Sequence, residues 1–303
     1  MTDQTTDTAT NTDVSPDDQT VSSVTATAMP DDTPSGLRSA RGFIFDMDGV
    51  LYRGKQPLPG VQTLFDALTL RGIKILLATN NSMALPSGYV QRMADQGVTV
   101  DESQIQTSAT ATRDYLRDTL APGATLLVVG MPALSELMFD GTGFTPPAED
   151  TAPEEIDAVV VGLDLEFTYA KLRRASDAVR AGATFVATNA DATLPHEGGV
   201  QPGAGSIVAA IATAAGVKPV VVGKPEVLMM EKGIEQLGLQ PNEVVMVGDR
   251  LDTDILAGNR AGAMTALVLT GVSQREDLET SDVLPDYVFA DLPALTQEIV
   301  GHD

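Results

Sequence analysis

Two aspartates, Asp46 and Asp48, stand one residue apart at the end of an apolar run in RGFIFDMDGVLYRG, residues 41 to 54. In an extended chain, positions i and i+2 project the same way, so both carboxylates face one site. Alone, such a pair is a turn, a metal site or a reacting couple. Three further polar junctions narrow the choice. Thr79, Asn80 and Asn81 follow IKILLA and bring a hydroxyl and amide donors; Lys224, then Pro225, follows PVVVG; Asp249, Asp252 and Asp254 follow EVVMVG, in GDRLDTDI. Two carboxylates, a hydroxyl, an ammonium and a second acidic cluster are what phosphoryl transfer to a carboxylate requires. A carboxylate meeting a phosphate dianion at about 4 Å is repelled by roughly 8 kcal/mol at an effective dielectric near 20. Cations must offset this. Lys224 is one, and a hard, oxygen-seeking ion such as Mg²⁺, held by Asp46 and Asp249, is the other. Asp48 is placed to protonate a leaving alkoxide and then to activate water.

The elements that must position these groups can be read from the apolar runs. FIF, IKILLA, TLLVV, DAVVVG, TFVA, PVVVG, EVVMVG, TALVL and YVFA are strand candidates. Most are separated by segments with helical spacing, such as Val61, Leu64, Phe65 and Leu68. Strands apolar on both faces and alternating with helices imply an α/β fold with a Rossmann-like parallel sheet. Ligands of such sheets lie beyond the carboxyl ends of the strands, where the four junctions fall.

Composition sets the outer bounds. The chain has 303 residues, 43% of them hydrophobic, enough for one large domain or two ordinary ones. It has no cysteine, which removes disulfides, thiolate zinc sites and cysteine nucleophiles, and its only histidines are His196 and His302. A formal charge of −23 repels nucleic acid and anionic lipid. No apolar run approaches a membrane span, and the N-terminus lacks a signal peptide's basic and apolar regions, so a cytoplasmic protein is expected. Residues 1 to 36 hold ten threonines and seven aspartates but no Lys or Arg. This composition predicts a disordered acidic tail over 1–38.

Taken in order, DMDGVLYRG, LLATNNS, VVGKPE and VGDRLDTDI closely resemble the four motifs of the haloacid dehalogenase-like phosphatases. More narrowly they resemble the NagD-type branch (subfamily IIA), which includes 4-nitrophenylphosphatases and phosphoglycolate phosphatases. The likeness runs from about residue 40 to 298. It implies a Mg²⁺-dependent phosphatase that hydrolyses a small phosphorylated metabolite through an aspartyl-phosphate. Asp46 is then the nucleophile, Asp48 the general acid and base, Thr79 and the amide of Asn80 the phosphoryl holders, and Lys224 the screening cation. Mg²⁺ is expected on Asp46, the backbone carbonyl of Asp48, and Asp249, with Asp254 ordering the metal's waters and Asp252 a less certain helper. An acid at Asp48 favours a phosphatase over a dehalogenase, whose relatives lack one there.

The resemblance also implies an inserted α/β cap of the C2 type. It is expected at 85–200, between core segments 39–84 and 201–303, with PVVVG completing the core sheet. A second ATN, at Ala187 to Asn189, echoes the first at Ala78 to Asn80. In VATNADATLPHEGG it resembles a cap loop that meets the leaving group, which makes Asn189, Asp191 and His196 candidates for specificity. Relatives often dimerise through the cap, so a homodimer through the cap is a further expectation. One departure is Met83 and Ala84, where many relatives carry an arginine.

Each feature also has a plainer reading: a polar turn for Asp46 and Asp48, helix-terminal carboxylates for Asp252 and Asp254, a helix cap for Thr79, and an exposed loop histidine for His196. A phosphoryl-accepting signalling domain would also place an acidic pair, a hydroxyl and a lysine at strand ends. Such domains run to about 120 residues with no inserted cap, and the long interval before Lys224 disfavours one here. A regulatory protein that only binds metabolites would need a broken motif, and all four are intact.

Overall fold

A stretch such as GFIF has no polar side and must be covered on both faces. In the computed structural model of the chain, which describes residues 36–196 and 199–300, it is β1 (Gly42–Phe45), buried throughout. The chain continues through β2 (Tyr52–Arg53), β3 (Gln56–Pro57), α1 (Val61–Leu70), β4 (Lys74–Thr79), α2 (Pro86–Asp95), β5 (Ile105–Thr107) and α3 (Ser108–Thr119). There follow β6 (Leu126–Val129), α4 (Pro132–Phe139), β7 (Ala158–Val161), α5 (Tyr169–Ala181), β8 (Thr184–Ala187), β9 (Thr193–His196), β10 (Gly199–Pro202), α6 (Ala204–Ala215) and β11 (Val220–Val221). Last come α7 (Val227–Leu237), β12 (Val244–Gly248), α8 (Leu256–Ala261), β13 (Met264–Val268), β14 (Tyr287–Phe289) and α9 (Leu292–Val300).

Two parallel sheets result. The larger has the order β14-β13-β12-β1-β4-β5, with Phe45 opposite Val247 on one side and Leu77 on the other. Alternation along β1 sends Phe43 and Phe45 into one apolar layer, with Leu64, Phe65 and Leu295, and Ile44 into the opposite layer, with Met229 and Ile234. The smaller sheet has the order β11-β8-β7-β6. Its own layer joins Val159, Val161 and Phe185 to Ala175, Val179, Ile207 and Ile211 of α5 and α6. The pairs β2/β3 and β9/β10 are antiparallel hairpins. Among the described residues no helix is long and apolar enough to cross a membrane.

All nine apolar runs are strands, within an α/β fold, but their distribution departs from expectation. PVVVG does not complete the larger sheet: β11 pairs with β8, Val220 beside Val186. The preceding α6 packs on α5 rather than on the larger sheet, and its chain leaves Gly216 in the left-handed region (φ 72). A strand that short goes where its preceding helix delivers it. Conversely β5, inside the interval 85–200, pairs with β4, Thr107 beside Thr79. With a glutamine and a threonine in three residues it makes no apolar run. The expected insertion limits therefore do not follow the sheet pairing at either end. Residues 36–38, expected as the end of the tail, begin a helical turn over Leu37–Ser39 whose Leu37 is buried in the apolar layer of Phe43 and Phe45. The remainder of that tail and His302 lie outside the described residues.

Candidate active site

The carboxyl ends of β1, β4 and β12 lie side by side, because β1 pairs with both neighbours in parallel. Asp46 extends the β1 ladder by one bond, its amide donating to the carbonyl of Val247 at 2.8 Å. Met47 turns into the core with no exposure, so Asp46 and Asp48 share the opposite side, as the i, i+2 spacing requires. Gly49 then turns the chain at φ 89, and a Cβ there would meet Asp249 Oδ2 at 2.5 Å. Only glycine fits both constraints.

Lys224 arrives from the smaller sheet. The amides of Val222 and Gly223 donate to Ala187 and Thr188 at the end of β8, and the lysine reaches from there into the larger sheet's strand ends. Its Nζ lies 2.5 Å from Asp46 Oδ1 and 2.7 Å from Asp254 Oδ1 and donates to the carbonyl of Ala78 at 3.2 Å. Asp249 Oδ2 accepts from the amide of Val272 at 2.7 Å, and Asp254 Oδ2 from the amide of Arg250 at 3.1 Å.

Oxygens of Asp46, Asp249 and Asp254 all lie within 4.8 Å of one another. Three carboxylates against one ammonium leave a net −2 in a buried cluster. The protein responds as electrostatics demands. Burial raises Asp46 to about 8, with Asp254 and Asp249 adding to the rise against the pull of Lys224. Burial and then Asp254 raise Asp249 to about 6. Burial would lower Lys224, but Asp254 and Asp46 outweigh it and keep the ammonium protonated. A compact set of hard oxygens with surplus negative charge suits a hard divalent cation such as Mg²⁺, and it holds no soft donor for zinc. Asp254, expected only to order waters, is itself within the cluster.

Asp48 opens to the cavity. Desolvation raises its pKa, against the nearby backbone of Gly54 and Gly49 and the charge of Arg92. Thr79 does not cap α2, which begins at Pro86 without a side-chain cap. Its hydroxyl instead accepts from the amide of Asn81 at 3.2 Å, bracing the turn. Asp252 is not brought in: it is 72% exposed and pairs with Arg250 at 3.0 Å.

The second ATN meets the first. Asn189 Nδ2 donates to the carbonyl of Asn80 at 2.8 Å and its Oδ1 accepts from the amide of Asp191 at 3.1 Å. Asn80 Nδ2 in turn donates to the carbonyl of Lys224 at 2.8 Å and to Asp191 Oδ2 at 3.2 Å. Gly223 permits this closeness, since a Cβ would meet Thr188 O at 2.6 Å and Asn80 Oδ1 at 2.7 Å. Both Asn189 and Asp191 line the cavity, Asn189 with its side-chain amide and oxygen already bonded to the backbone. His196 belongs to β9, but its side chain lies outside the described residues.

These groups line one cavity of about 700 Å³, far larger than a phosphate. Its wall includes Tyr52, Tyr89 and Arg92, which the sequence reading missed. The available signal was the i, i+3 spacing of Tyr89 and Arg92 on one face of α2.

A family model described as haloacid dehalogenase-like hydrolase matches residues 43–145, and one described as HAD-hydrolase-like matches 221–295. The chain is 37% identical over 263 residues to an acid sugar phosphatase of Staphylococcus aureus, covering 87% of this chain and 99% of that one. It superposes on NagD from E. coli K-12 with a TM-score of 0.77 at 32% identity, covering 84% and 97% of the two chains. For a 4-nitrophenylphosphatase from Thermotoga maritima the TM-score is 0.80 at 33% identity, covering 86% and 98%.

Proposed function

This chain belongs to the haloacid dehalogenase-like hydrolases, in their NagD-type branch, and on that footing we propose that it is a phosphatase of small phosphorylated metabolites, acting through Asp46. A carboxylate oxygen of Asp46 forms a bond to phosphorus as the bond from phosphorus to the leaving oxygen breaks, and Asp48 gives that oxygen its proton. Asp48 then takes a proton from water, whose oxygen attacks phosphorus and breaks the aspartyl-phosphate, releasing phosphate and restoring Asp46.

The observation that carries this reading is the ammonium of Lys224, wedged between Asp46 and Asp254 at 2.5 and 2.7 Å. It neutralises charge that would otherwise keep a phosphate out, and it orients Asp46 for attack. Thr79 and the amide of Asn80 hold the phosphoryl oxygens. Asp46, Asp249 and Asp254, with the carbonyl of Asp48, would hold Mg²⁺, which when bound supplies positive charge to the phosphoryl oxygens and lowers the pKa values that crowding has raised. The smaller sheet and its helices, with Asp191 on the cavity wall, act as the cap that meets the leaving group.

The test is release of inorganic phosphate from 4-nitrophenyl phosphate with Mg²⁺. Activity is expected to vanish in Asp46→Asn and on chelation. Full turnover by Asp46→Asn would overturn the assignment.

A further inference from the structure

Five aspartates and four basic residues, Arg53, Arg92, Lys224 and Arg250, line the cavity. Three of the four cations are already committed. Lys224 sits between two carboxylates. Arg250 forks onto Asp252 at 3.1 and 3.0 Å. Arg53 donates from Nε to the carbonyl of Thr270 at 2.7 Å and also from Nη2. Arg92 differs: among the described residues it has no carboxylate or carbonyl acceptor, only the hydroxyl of Tyr52 at 3.4 Å.

Arg92 is nonetheless held in place. Its guanidinium carbon lies 5.3 Å from the ring centre of Tyr52 and 5.8 Å from that of Tyr89, and both rings are buried. Contact with two fixed aromatic faces restrains the guanidinium while leaving most of its N–H donors uncommitted. Tyr52, over whose ring it lies, is bridged through its backbone to Asp48, and Asp48 lines the same cavity. If Asp48 is the residue that protonates the leaving oxygen, Arg92 stands on the leaving-group side of the cavity. The phosphoryl side already has Lys224.

We propose that Arg92 is a specificity-determining residue that binds a second anionic oxygen group, a carboxylate or a further phosphate, carried by the leaving group. The proposal rests on the phosphatase reading above. A planar guanidinium matches either group with paired N–H donors. A neutral polyol offers that fork no charge, and the aspartates nearby would compete for it. The substrate class that follows is a phosphomonoester of a hydroxy acid or sugar acid, or a sugar bisphosphate.

The test uses matched pairs of substrates: phosphoglycolate beside 2-hydroxyethyl phosphate, 6-phosphogluconate beside sorbitol 6-phosphate, and glucose 1,6-bisphosphate beside glucose 6-phosphate. The readout is the ratio of kcat/KM for the anionic member to that for the neutral one. In the natural protein at least one ratio should exceed unity. In Arg92→Gln that ratio should fall by about 10- to 100-fold, the range of a charge-assisted hydrogen bond. Arg92→Lys, which keeps the charge and loses the fork, should retain part of it. The pair that responds tells carboxylate from phosphate. Ratios that stay the same in Arg92→Gln, or a preference for the neutral member in every pair, overturn the proposal. Turnover of 4-nitrophenyl phosphate by the natural protein reports separately on the phosphatase reading, and a thermal melt of each variant shows that it is folded. Unmoved ratios with intact 4-nitrophenyl phosphate turnover remove only Arg92's role, whereas no phosphate release from any substrate removes both.

Discussion

The side-chain amide of Asn189 donates to the backbone carbonyl of Asn80 at 2.8 Å, across 109 residues of sequence. The two ATN stretches, each ending a strand of a different sheet, are tied to one another at the turn after β4. Asn189→Ala leaves that carbonyl with the hydroxyl of Ser108 as its other donor, at 2.6 Å. We expect a loss of about 1–2 kcal/mol in a urea melt. The loosened turn should lower kcat/KM about 10-fold, by a similar factor for every substrate. A drop confined to particular substrates would instead mark Asn189 as a specificity residue.

Lys224→Met leaves three buried carboxylates without their ammonium. In the presence of a chelator, denaturant melts should show destabilisation of about 3–5 kcal/mol, the scale for breaking a buried ion pair. Phosphate release should be lost. Added Mg²⁺ should recover part of the stability but not the activity, because among the described residues no basic side chain other than Lys224 pairs with Asp46.

Stability of the metal-free protein should fall as pH rises. Asp46 and Asp249 are raised in the folded chain to about 8 and about 6 from an ordinary value of 3.8. The folded state therefore binds more protons than the unfolded one. Its contribution is complete below pH 4, begins to be lost above it and is gone once pH passes 8. Thermal melts in chelator across this window should show a declining midpoint. The stabilisation by Mg²⁺, which competes with those protons, should grow over the same range.

Gly271 has no room for a side chain: a Cβ there would collide with the Asp249 carboxylate. Gly271→Ala should displace that carboxylate and weaken the cation site. The Mg²⁺ concentration for half-maximal thermal stabilisation should rise about 10-fold or more, on the scale seen when a ligand loses its support. An unchanged Mg²⁺ titration would show that Asp249 does not hold the ion.

Asp48→Asn keeps the shape and removes the carboxyl proposed to carry the proton. Turnover of an alkyl phosphate should drop by about 10²- to 10⁴-fold. Turnover of 4-nitrophenyl phosphate, whose leaving group needs less protonation, should be less affected in its first step, visible as a burst of nitrophenol in rapid mixing.

What could be read in the sequence was local. The apolar runs marked nine strands, and the polar residues directly after them marked Asp46, Asp48, Thr79, Lys224 and Asp249, because parallel sheets place their ligands at strand ends. What could not be read depends on which distant segments meet. Asp252 and Asp254 look equivalent two residues apart, yet a π-helical turn over Leu251–Ile255 buries Asp254 against Lys224 and leaves Asp252 on Arg250 at the surface. β5 was missed because three mixed residues carry no period.

The sequence by itself therefore determined the α/β class and which polar residue types stand at four strand ends, since both follow from the periodicity and residue type of contiguous segments. Only the tertiary structure decided that PVVVG joins the smaller sheet, that Lys224 reaches the larger one from there, that Asn189 braces Asn80, and that Arg92 lines the cavity over the rings of Tyr52 and Tyr89. Each of these depends on contacts between segments far apart in the chain, which no local pattern of residues encodes.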